Sequence, residues 1–224
     1  MCRFYDTSDE LRELLKSLAK ESKTKGWWHS HGDAVPSWFS VYVGLEQAAA
    51  TLRTFQTEII PGLLQTAEYA TELTRVAPDQ APDEIQRLVD VRMRRQELLS
   101  ATNPPDFWAV VHQSALMQTV GSPTVMVAQL QRVLAATELR NVTVQVLPFD
   151  SGAYPFTGAF TMLGFPEQED PDMVYREGLT DSVYLELPSE VSLYSKAFDH
   201  LRALALNPQR SASLIRSVME EHSR

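Results

Sequence analysis

The first half of the chain carries a helical pattern of apolar and polar residues. Apolar side chains recur there every three or four positions, the spacing that places them on one face of an α-helix. Proline, serine and threonine residues interrupt the pattern at intervals, as they do where helices begin. The pattern predicts four helices, at residues 8–21, 37–55, 66–76 and 82–100.

The second half has a shorter period that is typical of strands. Residues 141–147 (NVTVQVL) alternate most regularly, so Val142, Val144 and Val146 are expected on one side of a sheet. Four further strands are predicted at 107–111, 159–165, 173–177 and 182–186, the last two joined as a hairpin. Three helices complete this half, at 122–139, 188–206 and 208–221.

This order of elements predicts the fold class. Strands that are grouped together, rather than alternating regularly with helices, favour an α+β fold over a doubly wound one. We expect a mainly antiparallel sheet of about five strands packed with helices, plus an N-terminal helical extension. The last two helices are expected to cover one face of the sheet. The corresponding domain division is an N-terminal segment at 1–25 and a single α+β domain at 26–224.

Composition excludes several functions without assigning one. Lys and Arg total 20 against 29 Asp and Glu, so the formal net charge is −9 and the chain is a poor candidate for binding a phosphate backbone. Its single cysteine, Cys2, excludes internal disulfides and cysteine-rich zinc sites. No apolar run approaches the roughly 20 residues of a membrane span, and the N-terminus does not have the pattern of a secretory signal. We therefore expect a soluble, cytoplasmic protein.

Few motifs in the sequence point to catalytic chemistry. Residues 121–123 (GSP) do not have the spacing of a nucleophile elbow, and the chain has neither a phosphate-binding glycine loop nor a dinucleotide fingerprint. His29, His31 and Asp33 are metal-binding residue types, but no further ligand is identifiable, which favours a polar surface loop over a metal site. We expect neither a metal nor a cofactor.

Two groups of residues have both a structural and a functional interpretation. Aromatic side chains concentrate at Trp27, Trp28, Trp38, Phe39 and Tyr42, where they either dock an N-terminal helical arm or form one wall of an apolar ligand pocket.

The second group is a pair of arginines on the helix predicted at 82–100. Arg92 and Arg95 lie one turn apart and share a side with apolar residues. A guanidinium directed toward a core needs a partner, which is either Glu46 in an internal ion pair or a ligand carboxylate.

These residues define one candidate ligand site, between the helices predicted at 37–55 and 82–100. The alternative is a closed internal network, and the two differ in volume, because a pocket leaves a cavity of about 300 Å³ or more. Glu46 and Arg53 are seven positions apart, so both face the same neighbour if the helix continues through them. The predicted walls and polar contacts are Trp38, Tyr42, Tyr69, Glu46, Arg53, Gln65, Arg92 and Arg95.

Two longer stretches carry a family resemblance. The first contains GWW at 26–28, PxWF at 36–39, YVGLE at 42–46, RxF at 53–55 and IPGLLQTxxYA at 60–70. The second contains RQ at 95–96, QL at 129–130, NVxVQVLP at 141–148, FTML at 160–163 and VYLE at 183–186. In this order and spacing they resemble a domain of unknown function in actinobacterial, Streptomyces-type regulators, which usually follows an Xre-type helix-turn-helix.

The resemblance covers about residues 25–221 and implies the effector-sensing or partner-binding half of a transcription regulator. The implied partner is a small-molecule effector or a small partner protein, with no membrane involved; whether the chain forms a homodimer stays open. The family supplies no catalytic residues to carry over.

The same resemblance gives a meaning to the N-terminal segment. Residues 2–5 resemble the tail of the last helix of a helix-turn-helix, and 8–21 the connector after it, so 1–25 is interpreted as a remnant without a recognition helix. We therefore expect no DNA binding by this chain alone. The chain is either a fragment or a standalone relative. A standalone relative allows a second function, a cyclase-type enzyme of secondary metabolism that folds an apolar substrate in a pocket.

Overall fold

The computed structural model describes residues 37–76, 81–155, 158–167, 170–178 and 181–224, the side chains of Ser37 and Trp38 excepted. The helix predicted at 8–21, the segment boundary near residue 25, and the tryptophans and histidines at 27–31 lie outside these residues. Within them no helix is both long enough and apolar enough to cross a membrane.

Seven α-helices form in the described part of the chain, and several begin at side-chain caps. Thr66 accepts a hydrogen bond from the Tyr69 amide, Ser122 from Val125 and Asn207 from Arg210, so each satisfies one of the otherwise unbonded amides of a first turn. The helices are α1 (Ser37–Ala48), α2 (Ala67–Arg75), α3 (Pro82–Arg95), α4 (Gln113–Met117), α5 (Pro123–Ala136), α6 (Pro188–Leu204) and α7 (Pro208–His222). Two 3₁₀ turns lie at Gly62–Leu64 and Gln96–Ser100.

Six strands form one mixed sheet. They are β1 (Thr51–Gln56), β2 (Asp106–His112), β3 (Val142–Leu147), β4 (Phe160–Gly164), β5 (Met173–Glu177) and β6 (Ser182–Leu185). Their order across the sheet is β3-β2-β1-β4-β5-β6. The pairs β1–β2 and β2–β3 are parallel, while β1–β4, β4–β5 and β5–β6 are antiparallel. The hairpin predicted from the last two strands is confirmed.

The prediction of a mainly antiparallel sheet of about five strands is wrong, because the helical pattern predicts the residues of β1 as the end of a helix. The helix predicted at 37–55 ends at Ala48, and the chain enters β1 at Thr51. The strand then lies at the centre of the sheet, where it pairs in parallel with β2 and antiparallel with β4. The helices between β1, β2 and β3 act as crossovers, so these three strands run parallel to one another.

The sheet has two differently covered faces. Both parallel crossovers step in the same direction across the sheet, so the right-handed rule places their helices on the same side. Tyr69 of α2 and Leu130 of α5 accordingly pack in one cluster with Val144 of β3. We call this side the helix-rich face; it also carries α1 and α7, through Tyr42 and Ile215.

The opposite side is the α6 face. Phe198 and Leu201 of α6 pack there against Phe160, Met162 and other apolar side chains of the sheet. The prediction that both C-terminal helices cover one face is therefore wrong, because α6 and α7 lie on opposite sides. The β3 alternation is confirmed, since Val142, Val144 and Val146 lie on the helix-rich face and Leu147 on the other.

Candidate ligand-binding site

A cavity of about 390 Å³ lies on the helix-rich face, beside the central strand β1. Three sides of it come from α1, from α3 and from the segment between β1 and α2, and its floor comes from β1, β4 and β5. This is the place where the sheet changes from parallel to antiparallel pairing. The strand order also reverses here, because the chain passes from β3 at one edge to β4 on the other side of β1, and ligands commonly bind beside the carboxyl end of a strand at such a point.

A buried ion pair joins the two helices that border the cavity. Nε and Nη2 of Arg95 donate to the two carboxylate oxygens of Glu46, each at 2.7 Å. The Tyr42 hydroxyl donates to Oε1 of the same carboxylate at 2.9 Å. Glu46 is 1% exposed and Arg95 6% exposed, so both charges have left water. The sequence predicts Glu46 as an internal partner for one of the two arginines. In the structure that arginine is Arg95.

Aromatic rings and charges around this pair shift its ionisation. Burial disfavours the Arg95 charge, but the Glu46 carboxylate more than offsets that effect and raises the pKa of Arg95. Burial and then Glu46 raise the pKa of Tyr42 well above its usual value, so its hydroxyl keeps its proton. The rings of Phe39 and Tyr42 lie 4.9 and 5.2 Å from the Arg95 guanidinium carbon and cover the guanidinium.

Arg92 borders the same cavity and forms no ion pair with a described carboxylate, although Glu177 attracts its charge from farther away. Its Nη1 donates to Oε1 of Gln65 at 2.6 Å, and none of the ion pairs among the described residues includes it. Burial, and then repulsion from Arg95, lowers the pKa of Arg92 to about 10, so the side chain is cationic at neutral pH. One positive charge on the cavity wall is therefore not neutralised by direct contact.

Three glutamines hold the segment that contains Pro61 and Gly62. Gln65 donates to the Ile60 carbonyl at 2.6 Å, and Gln96 donates to the carbonyls of Gly62 and Gln65 at 3.1 and 2.6 Å. Gln129 of α5 donates to the Leu64 carbonyl at 2.8 Å. These bonds satisfy backbone groups that a buried irregular segment leaves unpaired. The cavity wall is therefore held in place.

The floor of the cavity is polar, although it lies on a sheet. The hydroxyls of Thr54 and Thr161 are 3.0 Å apart across β1 and β4, and both residues are buried. Thr54 donates to the Phe160 carbonyl, and Gln56 donates to the Thr54 hydroxyl, each at 3.1 Å. Next to them the Tyr175 ring lies 4.2 Å from that of Tyr42.

Glu177 provides a carboxylate at the solvent edge of the cavity. It accepts a hydrogen bond of 3.4 Å from the Tyr175 hydroxyl. Loss of hydration raises the pKa of Glu177, while Arg92 and Arg95 oppose the rise. Burial and the Glu177 charge raise the pKa of Tyr175. The cavity therefore has an arginine on one wall and a carboxylate on its rim.

Five of the eight residues predicted from the sequence meet at this cavity: Tyr42, Glu46, Gln65, Arg92 and Arg95. Several of these side chains are hydrogen-bonded to one another, as a closed internal network requires. A cavity nevertheless adjoins them, as a ligand site requires. Their role as ligand contacts stays a prediction.

The other three predicted residues have different positions. Tyr69 is fully buried, and its hydroxyl accepts from the Ile60 amide at 3.3 Å, so it supports the wall from behind. Arg53 is opposite Trp108 and Met162 in the sheet and shares their side, the α6 face. The prediction that Arg53 faces the same neighbour as Glu46 is wrong, because it requires a continuous helix and Arg53 lies in β1. The Trp38 side chain is outside the described residues.

Sequence reasoning missed the part of the site that comes from strands. Thr54, Thr161, Tyr175 and Glu177 all border the cavity. Their one signal in the sequence was polar or tyrosine residues at alternate positions of apolar strands, and this signal does not show which strands are neighbours.

The described lining lacks four residue types that often serve as nucleophiles or general bases, although it contains glutamates, threonines and tyrosines. Among the described residues that line the cavity there is no serine, cysteine, histidine or lysine. No cluster of three or more potential metal ligands occurs within the described part of the chain.

Comparison with known families gives one match. The family model described as Domain of unknown function (DUF5753) matches residues 39–217. This range includes every described residue of the cavity wall. No curated protein matches the chain.

Proposed function

The chain belongs to the family Domain of unknown function (DUF5753), and we propose that it is the effector-sensing domain of an actinobacterial transcription regulator. In this proposal a small molecule binds in the cavity between α1, α3 and the sheet. The regulator is of the Streptomyces type, in which an Xre-type helix-turn-helix binds DNA and this domain responds to the effector or to a small partner protein. The site of action is the cytoplasm.

The cavity is the observation that carries the proposal. Its volume of about 390 Å³ is within the range of small-molecule sites, and its walls combine aromatic rings with a few oriented polar groups. A closed structural network needs no such space.

Filling the cavity tests the proposal. Ala159 lines the cavity and is half-buried, so Ala159→Trp places an indole in the space. Ala203 on α6 is exposed, and Ala203→Trp is the matched control. Native mass spectrometry after incubation with extracts of the host should find a small molecule on the wild type and on Ala203→Trp, but not on Ala159→Trp. Retention by all three folded proteins, or by none, contradicts the proposal.

A cyclase-type enzyme is the second candidate, because a cavity bordered by buried apolar side chains also suits a reaction driven by substrate conformation. Deletion of the gene separates the two functions. If the protein is a regulator, its deletion changes the transcripts of other genes. Expression of the wild type or of Ala203→Trp in the deletion strain restores them, while Ala159→Trp does not. If the protein is an enzyme, its deletion leaves those transcripts unchanged and a metabolic product is lost.

A further inference from the structure

Two arginine side chains that line one cavity carry hydrogen-bond donors without described acceptors. Arg95 uses Nε and Nη2 for Glu46, and no described residue accepts from its Nη1. Arg92 uses Nη1 for Gln65, and no described residue accepts from its Nε or Nη2. Arg95 is buried and Arg92 is half-buried, and polar groups taken out of water in this way are nearly always bonded, so donors left over at the cavity wall indicate a ligand or water as their partner.

Each guanidinium keeps part of its edge unbonded to described residues. Phe39 and Tyr42 cover the Arg95 group with their rings, and its Nε edge faces Glu46. What remains is the Nη1 end. Arg92 precedes Arg95 by one turn of α3, and both line the cavity. Planar oxyanions are the groups that such forked donors bind best.

The charges of the lining disfavour a doubly charged anion. The carboxylate of Glu46 neutralises Arg95, so the walls of the cavity hold one cation, Arg92, that no contacting carboxylate neutralises. Glu58 and Glu177 also border the cavity and repel additional negative charge. A carboxylate satisfies Arg92, whereas a doubly charged phosphate brings an excess of negative charge.

The rest of the wall accepts an apolar body. Leu52, Phe107 and Tyr175 are buried and line the same cavity. The hydroxyls of Thr54 and Thr161 lie beside them on the floor. A ligand with one charged end and a flat or aliphatic remainder matches this division.

We infer that the cavity binds an organic monocarboxylate, whose carboxylate is held by Arg92 and the Nη1 end of Arg95 while its apolar body lies against the sheet. This inference rests on the proposed function, because it names the class of ligand for the same cavity.

The test uses matched acids and amides. Phenylacetate, cinnamate, indoleacetate and octanoate are titrated into the purified chain beside their primary amides, with binding measured by ligand-observed NMR and calorimetry. Each pair differs in charge and scarcely in shape. Because hydrogen bonds to charged groups are stronger than neutral ones, we expect the best acid to bind about tenfold more tightly than its amide. Inorganic phosphate is expected to bind more weakly than that acid.

Variants on α3 assign the preference to one side chain. Arg92→Gln should bring the acid and the amide close to equal affinity. Arg92→Lys, which keeps the charge, should retain part of the preference. Arg87 is exposed on the same helix, and Arg87→Gln removes the same charge away from the cavity, so it should leave the preference unchanged. Cooperative unfolding of each variant verifies that it is folded.

Each outcome decides something different. Equal binding of acids and amides, or a preference that survives in Arg92→Gln, overturns the carboxylate inference and leaves the proposed function standing. If no acid or amide in the panel binds, the carboxylate inference is overturned, and the proposed function is decided by the Ala159→Trp experiment. A stronger response to phosphate than to any acid also overturns the inference.

Discussion

The two faces of the sheet bury different kinds of side chain. The α6 face has an apolar cluster in which Phe55, Phe160 and Phe198 pack at ring distances of about 6 Å. On the helix-rich face, an ion pair, two threonine hydroxyls and a glutamine line a cavity. Of the eight buried polar side chains in the described part of the chain, five line this cavity: Glu46, Thr54, Gln65, Arg95 and Thr161.

This difference separates stability from function. Apolar packing stabilises a fold without directing any group outward, whereas buried ion pairs are weak sources of stability that demand exact partners. Their concentration around one space is the reason to regard the helix-rich face as the functional one. The comparison predicts that damage to the α6 face destabilises the fold while the site retains its chemistry.

The largest effect on the α6 face is expected from Phe198→Ala. Phe198 is 1% exposed, and its loss should lower the free energy of unfolding by about 4 kcal/mol through lost burial and the void left behind. Leu193 on the same helix is 66% exposed, and Leu193→Ala should change stability by less than about 0.5 kcal/mol. Denaturant titration measures both. Under conditions where it remains folded, Phe198→Ala should still prefer acids to amides; loss of that preference contradicts the separation.

The ion pair provides the next test. Glu46→Gln leaves the Arg95 charge buried without its partner and should cost about 3 kcal/mol, measured in the same way. Glu220→Gln, at an exposed position of α7, is the control.

The double variant Glu46→Leu/Arg95→Met sharpens the comparison. Apolar replacement of a whole buried pair is often neutral for stability, so this protein should be more stable than Glu46→Gln. It should nevertheless bind acids more weakly than the wild type, because the Nη1 donor is gone. A double variant that binds acids normally shows that the pair is structural only.

The smallest effect concerns a histidine at the end of β2. Burial lowers the pKa of His112, which contacts the ring of Phe149 at a centroid distance of 5.3 Å. The unfolded chain therefore binds this proton more readily than the folded one. The stabilisation is present above the ordinary pKa of about 6.5 and is lost as the pH falls below it. Stability measured across this range should fall less steeply in His112→Gln than in the wild type or in His200→Gln, an exposed control on α6. Parallel curves contradict this assignment.

Most of the individual elements could be predicted from the sequence. The alternation of residues 141–147 predicts β3, and the helical spacing at 66–76, 122–139 and 208–221 predicts three helices, which in the structure begin at the caps Thr66, Ser122 and Asn207. These signals are local, since they depend on side chains within one turn or one strand.

What could not be predicted was the topology around β1. Only Ala49 and Ala50 separate α1 from β1, and Leu45, Ala49 and Leu52 keep a helical spacing across the boundary. The parallel pairing depends on this strand. For the same reason Thr54 was missed as part of the site, while the spacing of Arg92 and Arg95 within α3 was local and could be used.

The most direct test of the account follows both faces at once by NMR. The Nε–H groups of Arg92 and Arg95 report on the cavity, and the indole N–H of Trp108, which donates to Gln145 at 2.9 Å, reports on the α6 face. Titration with the acid of the panel that binds best should shift the two arginine signals in proportion to occupancy and leave the Trp108 signal in place. Arginine signals that do not move while the acid binds, or a Trp108 signal that moves most, would contradict a carboxylate site on the helix-rich face.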